Sequence, residues 1–274
     1  MRAFRTPKGL LGVILVLLFA FTAIAAPMLI PGDLATMINI LARLKPPSLA
    51  HPLGTDQLGR EMLWRVLLGA HTSLVIAIAA VALSIAIGLP VGVLAGYYRG
   101  ATDHALMRLV ETLLSFPALL LALTISAVLG PSERNTIIAI GVAFSPYLAR
   151  IVRGEALRIV ALPYVEAARS QGAGDWRIVR LHIVPNLMAP LIVQATISVG
   201  FAILAEAALS FLGLGTQPPT PSWGLMIQAS RDYLDIAPWT ALVPGAAVAM
   251  TVLGLNMLGD VLRDVLDPTI TASF

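Results

Sequence analysis

Tyr164-Val-Glu-Ala-Ala-Arg-Ser-Gln-Gly172, followed by Val184-Pro185, is a polar stretch set between long apolar ones. Pro163 ahead of it and Gly172 behind it match the preference for Pro at the first helical position and Gly just past the last, so the spacing predicts a helix of about nine residues, or about 13 Å. That is short enough to be a knob. Gly174-Asp175 then turns the chain, Asp175 is expected to cap a second helix over 176–184, and Pro185 leads into the next apolar run. Two short helices meeting at glycines make a compact protrusion, and pushing it would move the run behind it.

Of the 274 residues 58% are hydrophobic and 12% charged, a balance that leaves a water-soluble domain too few polar side chains to cover its surface. The chain therefore reads as an all-α membrane protein. Roughly 20 apolar residues at a rise of about 1.5 Å each cross a hydrocarbon core of about 30 Å. Six uncharged runs stand out, at 9–31, 72–98, 112–130, 135–149, 183–205 and 236–259, bounded by charges such as Lys8, Arg99, Glu111, Arg150, Glu206 and Asp260. The fourth is short and needs a turn from its flanks. The segments 1–8, 99–111, 150–182 and 260–274 carry twelve Arg and Lys and the other three carry six. The excess of positive charge on the inner side then puts both termini, and the knob, in the cytoplasm. Arg2, Arg5 and Lys8 before the first run, with Ala23-Ile24-Ala25 inside it, imitate a cleaved signal. The run is longer than the about 7–15 residues of a signal's apolar region, so a retained anchor is expected.

Much chemistry is excluded. With no cysteine there is no disulfide, thiolate metal site or thiol nucleophile. His51, His71, His104 and His182 are scattered over different loops with no i, i+4 pair, so no histidine metal site is expected. No Ser/His/Asp arrangement or carboxylate pair marks a catalytic centre. A phosphate-binding loop needs Lys after Gly, yet Lys8 and Lys45 follow Pro7 and Leu44, so no ATP or Mg site of that kind, and no other cofactor, is expected in this chain. The net charge of +3 is explained by inner-loop arginines, which leaves no case for nucleic acid as a partner. An autonomous secondary transporter would need ion-coupling carboxylates within its spans, and the six runs have none.

The chain divides into an anchor with an outer amphipathic segment, 1–71, and a core, 72–274, with an inner loop at 150–182 and a periplasmic cap at 206–235. In the outer segment Thr55 or Asp56 is expected to cap a helix with Leu58, Met62, Leu63, Val66 and Leu67 on one face, lying along the membrane surface. In the cap, Gln217-Pro-Pro-Thr-Pro-Ser222 breaks any spanning helix. Its backbone must be satisfied by protein or water, over a translocation path or beneath a partner subunit. Ser84, Gly88, Gly92 and Gly96 recur every four residues and let another backbone come close. Ordinary packing within the chain is the commoner reading, contact with a second subunit or a moving helix the functional one. Asn186, Pro190, Gln194, Ser198 and Ala202 form a polar or small stripe that should face the bundle or a wet cavity. Together with Asn256 it lines a pathway or glues helices by hydrogen bonds. Glu206, at a span boundary, could be a functional carboxylate, but the commoner reading there is a solvated or paired one. In the knob, Ala167 and Ala168 beside Glu166 allow a partner surface to approach while offering one charge; the alternative is a solvated loop whose arginines hold topology.

The set Glu166-Ala-Ala168, Gly172 and Pro185 resembles the EAA loop of ABC importer permeases. Residues 51–60, Ser115-Phe-Pro117, Ala208-Leu-Ser-Phe-Leu-Gly-Leu-Gly215, Pro221-Ser-Trp-Gly-Leu-Met226, Asn256-Met-Leu-Gly-Asp-Val-Leu-Arg-Asp264 and Leu266-Asp-Pro268 are similar to the shorter permease of the peptide/nickel family. Departures are His182-Ile-Val-Pro185 where Leu-Pro with Ile two before is usual, and Glu61 where Asp is usual after Gly-Arg. The resemblance implies a type I ABC importer permease fold with six transmembrane helices in a bacterial or archaeal cytoplasmic membrane. It implies a homologous permease as heterodimer partner, two ATPase subunits that bind ATP and Mg, and an external solute-binding protein. It makes Glu166, Ala167, Ala168, Arg169, Gly172, Asp175 and Pro185 the coupling residues, and implies that solute is released through the cap at Gln217, Pro221 and Trp223. Di- or oligopeptides are the implied cargo, with nickel chelates, glutathione, opines and oligosaccharides as alternatives.

Overall fold

The computed structural model describes residues 6–266; Arg2 and Arg5 at one end and Asp267-Pro268 of the final motif lie outside that range. The elements are α1 (Pro7–Leu29), α2 (Gly32–Thr36), α3 (Met62–Tyr98), α4 (Gly100–Leu114), α5 (Ala118–Leu129), α6 (Glu133–Val160), α7 (Pro163–Ser170), α8 (Asp175–Ile178), α9 (Val184–Phe211), α10 (Trp223–Ala229) and α11 (Trp239–Leu266). No β-strand occurs among the described residues, and one isolated bridge joins Thr55 and Glu61. Five helices are long and apolar enough to cross a membrane, and a bent pair makes a sixth.

The bent pair corrects the third run. Residues 112–130 are not one span, because α4 and α5 meet at 85°. Pro117 has no N–H to give and disfavours helical backbone at Phe116, so the ladder stops there and restarts from Pro117 as the cap of α5. α5 is then only 12 residues, about 18 Å long. α4 buries Met107 and Val110, and Asp103 one turn earlier pairs with Arg153 of α6.

Helix ends also depart from the charge boundaries. α6 runs on past Arg150 to Val160, because Val152, Ala156 and Ile159 continue its buried face while Arg153 pairs with Asp103 at 2.5 and 2.6 Å and Arg158 with Glu155 at 2.9 Å. A charge marks where an apolar environment ends, and the helix outlasts it. The inner loop therefore begins at Ala161. Likewise α3 starts at Met62, so the surface helix expected from Thr55 or Asp56 is the opening of a continuous 37-residue span that crosses the 71/72 boundary. Leu58 lies before it. Thr55 accepts from Lys45 N at 2.9 Å and donates to Ala42 O. Asp56 accepts from Leu58 N and Arg60 N at 2.8 and 3.0 Å and from Arg60 Nε at 2.7 Å. These bonds fold 32–61 into a cap on the helix start in place of a capping box.

The four-residue stripe on α3 is an internal seam. A methyl group at Gly88 would lie 2.8 Å from Ser145 O, at Gly92 2.5 Å from Ala149 O, and at Gly96 2.6 Å from Ala156 Cβ. The contacts climb both helices in the same direction, so α3 and α6 run parallel and α4–α5 is the return path. α9 runs the other way, and α11 comes back beside it through Gly200 and Gly259. α1 packs antiparallel to α11, where added methyls would stand 2.6 Å from Met257 Cβ at Gly12 and 2.8 Å from Leu15 Cβ at Gly254. Pro7 and Leu266 thus lie at the same end of the bundle as α7.

Gly92→Ala should destabilise the protein by about 1–3 kcal/mol, since backbone must give way. Gly154→Ala, within α6 and with open space around it, should be neutral or gain up to about 1 kcal/mol from helix propensity. Thermal unfolding of the two variants in one detergent checks the contrast.

Candidate functional site

The knob is built on an apolar floor. α7 is eight residues, with Pro163 at its first position and Leu162 as cap. Gly172 closes it at φ +81°, with Gly172 N donating to Arg169 O at 3.0 Å and Ala173 N to Ala168 O at 3.1 Å. This is the double hydrogen bond that a left-handed glycine permits after a helix. Val165 is buried and joins Ile159 of α6, Ile178 of α8, Ile183 and Leu187 beneath it. Glu166, Ala167, Arg169 and Gly172 remain exposed, Tyr164 is 41% and Trp176 75% exposed, and none of the described residues covers that face. Beside it a cavity of about 360 Å³ is lined by Arg99, Val160, Ala161, Val165, Glu166, Arg169 and Ser170.

Asp175 differs from expectation. The cap of α8 is Gly174, without a side-chain bond, and Asp175 instead accepts from the Tyr97 hydroxyl at 2.8 Å. The Arg169 guanidinium stands 5.6 Å from the Tyr97 ring centroid. The second knob helix also does not stop at Pro185. α8 passes through a π-helical turn, Val179–Ile183, straight into α9. Pro185 sits in the first turn of α9, where its missing N–H is cheapest. Tyr97 was hidden in the sequence because an aromatic at the end of an apolar run reads as an interfacial anchor.

The polar stripe of α9 runs from exposed Asn186 through half-buried Pro190, Gln194 and Ser198 to Ala202, which is fully buried in the core. Asn186 is exposed and donates to His182 O at 2.7 Å, while half-buried Gln194 donates to Ser198 Oγ at 3.4 Å, a bond within the same helix. Asn256, exposed on α11, lies beside Gly200. The hydrogen bonds of Asn186, Gln194 and Ser198 thus do not bridge helices, and only the Asn186 end of the stripe is exposed.

The cap is a wedge as well as a surface. Gln217 is exposed and donates to Gly213 O and Gly215 O, each at 3.1 Å, but Pro221 and Trp223 are buried. Trp223 is fully enclosed, donating from its indole N–H to Val66 O at 3.0 Å and meeting Phe19 edge-on at 5.8 Å. It cannot meet solute as the resemblance implies. Glu206 is fully buried and paired within the chain, accepting from Ser73 Oγ at 3.0 Å and Ser210 Oγ at 2.7 Å, and Ser73 Oγ accepts from Trp223 N at 3.2 Å. A carboxylate does therefore lie inside a membrane helix, contrary to the count taken over 183–205. Its two serine partners and the closed surroundings give it a fastening role between α3, α9 and α10. Serines 73 and 210 carried no signal, since hydroxyls in apolar runs commonly bond their own helix. Among the described residues no cluster of His, Asp or Glu is fit to hold a metal.

Residues 88–272 match the family of binding-protein-dependent transport system inner membrane components. The chain is 45% identical, over 97% of its length and 90% of the relative's, to a putative peptide transport system permease protein of Brucella suis. It is 43% identical, over 95% and 85%, to the dipeptide transport system permease protein DppC of Alkalihalophilus pseudofirmus. It is 42% identical, over 92% and 84%, to a glutathione transport system permease protein of Pectobacterium atrosepticum. Among solved structures it is similar to the MetNI methionine ABC transporter in an inward-facing conformation, at a TM-score of 0.63 and 20% identity, covering 75% of this chain and 98% of that one.

Trp223→Ala should cost about 3–5 kcal/mol through the cavity it leaves. Glu206→Ala should cost about 1–3 kcal/mol for each serine hydroxyl it orphans. Both should lower the unfolding temperature of the purified protein, whereas Gln217→Ala should leave it unchanged.

Proposed function

Because the chain belongs to the family of binding-protein-dependent transport system inner membrane components, and is a permease subunit of an ABC transporter, we propose that it imports di- or oligopeptides. The relatives at 43–46% identity named for peptide or dipeptide transport carry that reading. Glutathione, itself a peptide, is a second cargo favoured by the glutathione permeases at 42% identity. The chain works in the cytoplasmic membrane beside a homologous permease, with two ATPase subunits at the α7 end and an external binding protein at the other. Both termini then lie in the cytoplasm, in keeping with the charge excess of the inner segments.

In this reading α7 docks into the ATPase. Its exposed face offers Ala167 beside Glu166, and small side chains let a partner surface come close while one carboxylate pairs with a cation on it. Ala168 and Gly172 end the helix on that side, and Arg169 and Asp175 hold the knob to α3. ATP binding closes the ATPase pair, displaces the knob, and swings the spans between inward- and outward-open states. The stripe of Asn186, Gln194 and Ser198, with Asn256, faces the homologous permease, and the solute passes between the two chains. Gln217 offers the exposed amide of the cap to incoming solute. ATP and Mg stay with the ATPases.

Glu166→Lys and Ala167→Arg change exposed side chains, so the isolated permease should keep its unfolding temperature while co-purification of the ATPase subunits is lost. ATP hydrolysis by the reconstituted complex should rise with binding protein carrying a dipeptide and stay basal with binding protein carrying a nickel chelate. The reverse pattern would sink the peptide assignment.

A further inference from the structure

We infer that Tyr97 is the joint through which a push on α7 enters α3, a positioning residue for transport that lies outside the docking face. The inference rests on the reading of α7 as the ATPase-docking helix. By chain connectivity the knob is joined only to α6, through Ala161 and Leu162, and to α9, through α8 and the π-helical turn. α3 ends more than sixty residues earlier, so what the knob does to α3 passes either through α6 or directly through side chains.

One side chain is placed to do this for both halves of the knob. The Tyr97 hydroxyl donates to Asp175 of α8 at 2.8 Å, and its ring lies under Arg169 of α7 at 5.6 Å. Tyr97 is 6% exposed and packed in the same apolar cluster as Val165, Ile159 and Ile178, which fixes its ring, while Arg169 and Asp175 reach it from the exposed side. The other half of the joint is rigid. Tyr97 directly follows Gly96, where a methyl would meet Ala156 at 2.6 Å and Arg153 O at 2.9 Å, so α3 and α6 interlock and cannot slide past one another there. A shift of the knob therefore carries α3 and α6 together with the base of α9. Without Tyr97 the load would reach α3 only by way of α6, through the Ala161–Leu162 link, and by the apolar packing of the knob on its floor, which resists separation but tolerates sliding better than a directed hydrogen bond does.

The test uses the complete complex in liposomes, with binding protein carrying radiolabelled dialanine, and reads dialanine imported per ATP hydrolysed. Tyr97→Leu removes both the hydroxyl and the ring, and Tyr97→Phe removes the bond to Asp175 alone. The expected result is full co-purification of the ATPases and a ratio lowered about tenfold in Tyr97→Leu and less in Tyr97→Phe, about the value of one charge-assisted hydrogen bond. An unchanged ratio overturns the inference, including the case in which yield or thermal stability falls while the ratio holds, since that is how a plain packing residue behaves. If Tyr97→Leu fails to assemble, Tyr97→Phe keeps the shape of the ring and decides the matter by the same ratio. Failure of the underlying docking reading is seen separately, as retention of the ATPases by Glu166→Lys.

Discussion

The close parallel approach of α3 and α6 is the constraint on which the remaining structure hangs. Lipid offers no hydrophobic force to drive helix against helix, so association depends on contact area and on backbones coming near enough for dispersion to add up. Ser84, Gly88, Gly92 and Gly96 supply that nearness, and the matching α6 face of Ser145, Ala149, Val152 and Ala156 fills it. A parallel pair cannot be joined by a tight turn. The chain must return across the membrane between them, and the bent α4–α5 pair does so while leaving the seam undisturbed. At one end the seam delivers Tyr97 and Ile159 to the knob; at the other it sets Val66 and Ser73 opposite the cap.

Polar groups inside the bundle are few, and the best satisfied of them act as fasteners. Glu206 accepts from hydroxyls on its own helix and on α3, and the serine on α3 also accepts from the backbone of α10. Asp56 holds Arg60, with Arg65 nearby donating to Ala35 O at 3.1 Å, and gathers the segment before α3 over the helix start. A buried charge or hydroxyl without such partners would be costly, so each cluster favours one arrangement of the elements that supply its bonds. The cap is accordingly a wedge driven between helices, with Trp223 as its point and Gln217 at its surface.

The knob shows the opposite balance. It is fastened from below by Val165 and Tyr97 and left uncovered above, where Ala167, Tyr164 and Trp176 meet solvent. A rigid base under an unpartnered face is what a subunit driven from outside requires: the base carries displacement and the face receives it. An isolated solvated loop would need neither the apolar floor nor the left-handed glycine that ends α7.

The class of the molecule, its apolar runs, the bounds of α7 and the small-residue seam were legible in the sequence, because each follows from local rules of composition, periodicity and capping. The same rules failed wherever a neighbour overrode them. Arg150 and Pro185 read as helix boundaries in the sequence, yet a buried face continuing on the far side keeps α6 and the α8–α9 rod helical. Only the tertiary structure enclosed Glu206 and Trp223, turned Asn186 outward and set Tyr97 against Arg169 and Asp175. Those outcomes depend on partners far away in the chain, and one-dimensional patterns of hydrophobicity cannot say which distant surface will arrive to satisfy a given polar group.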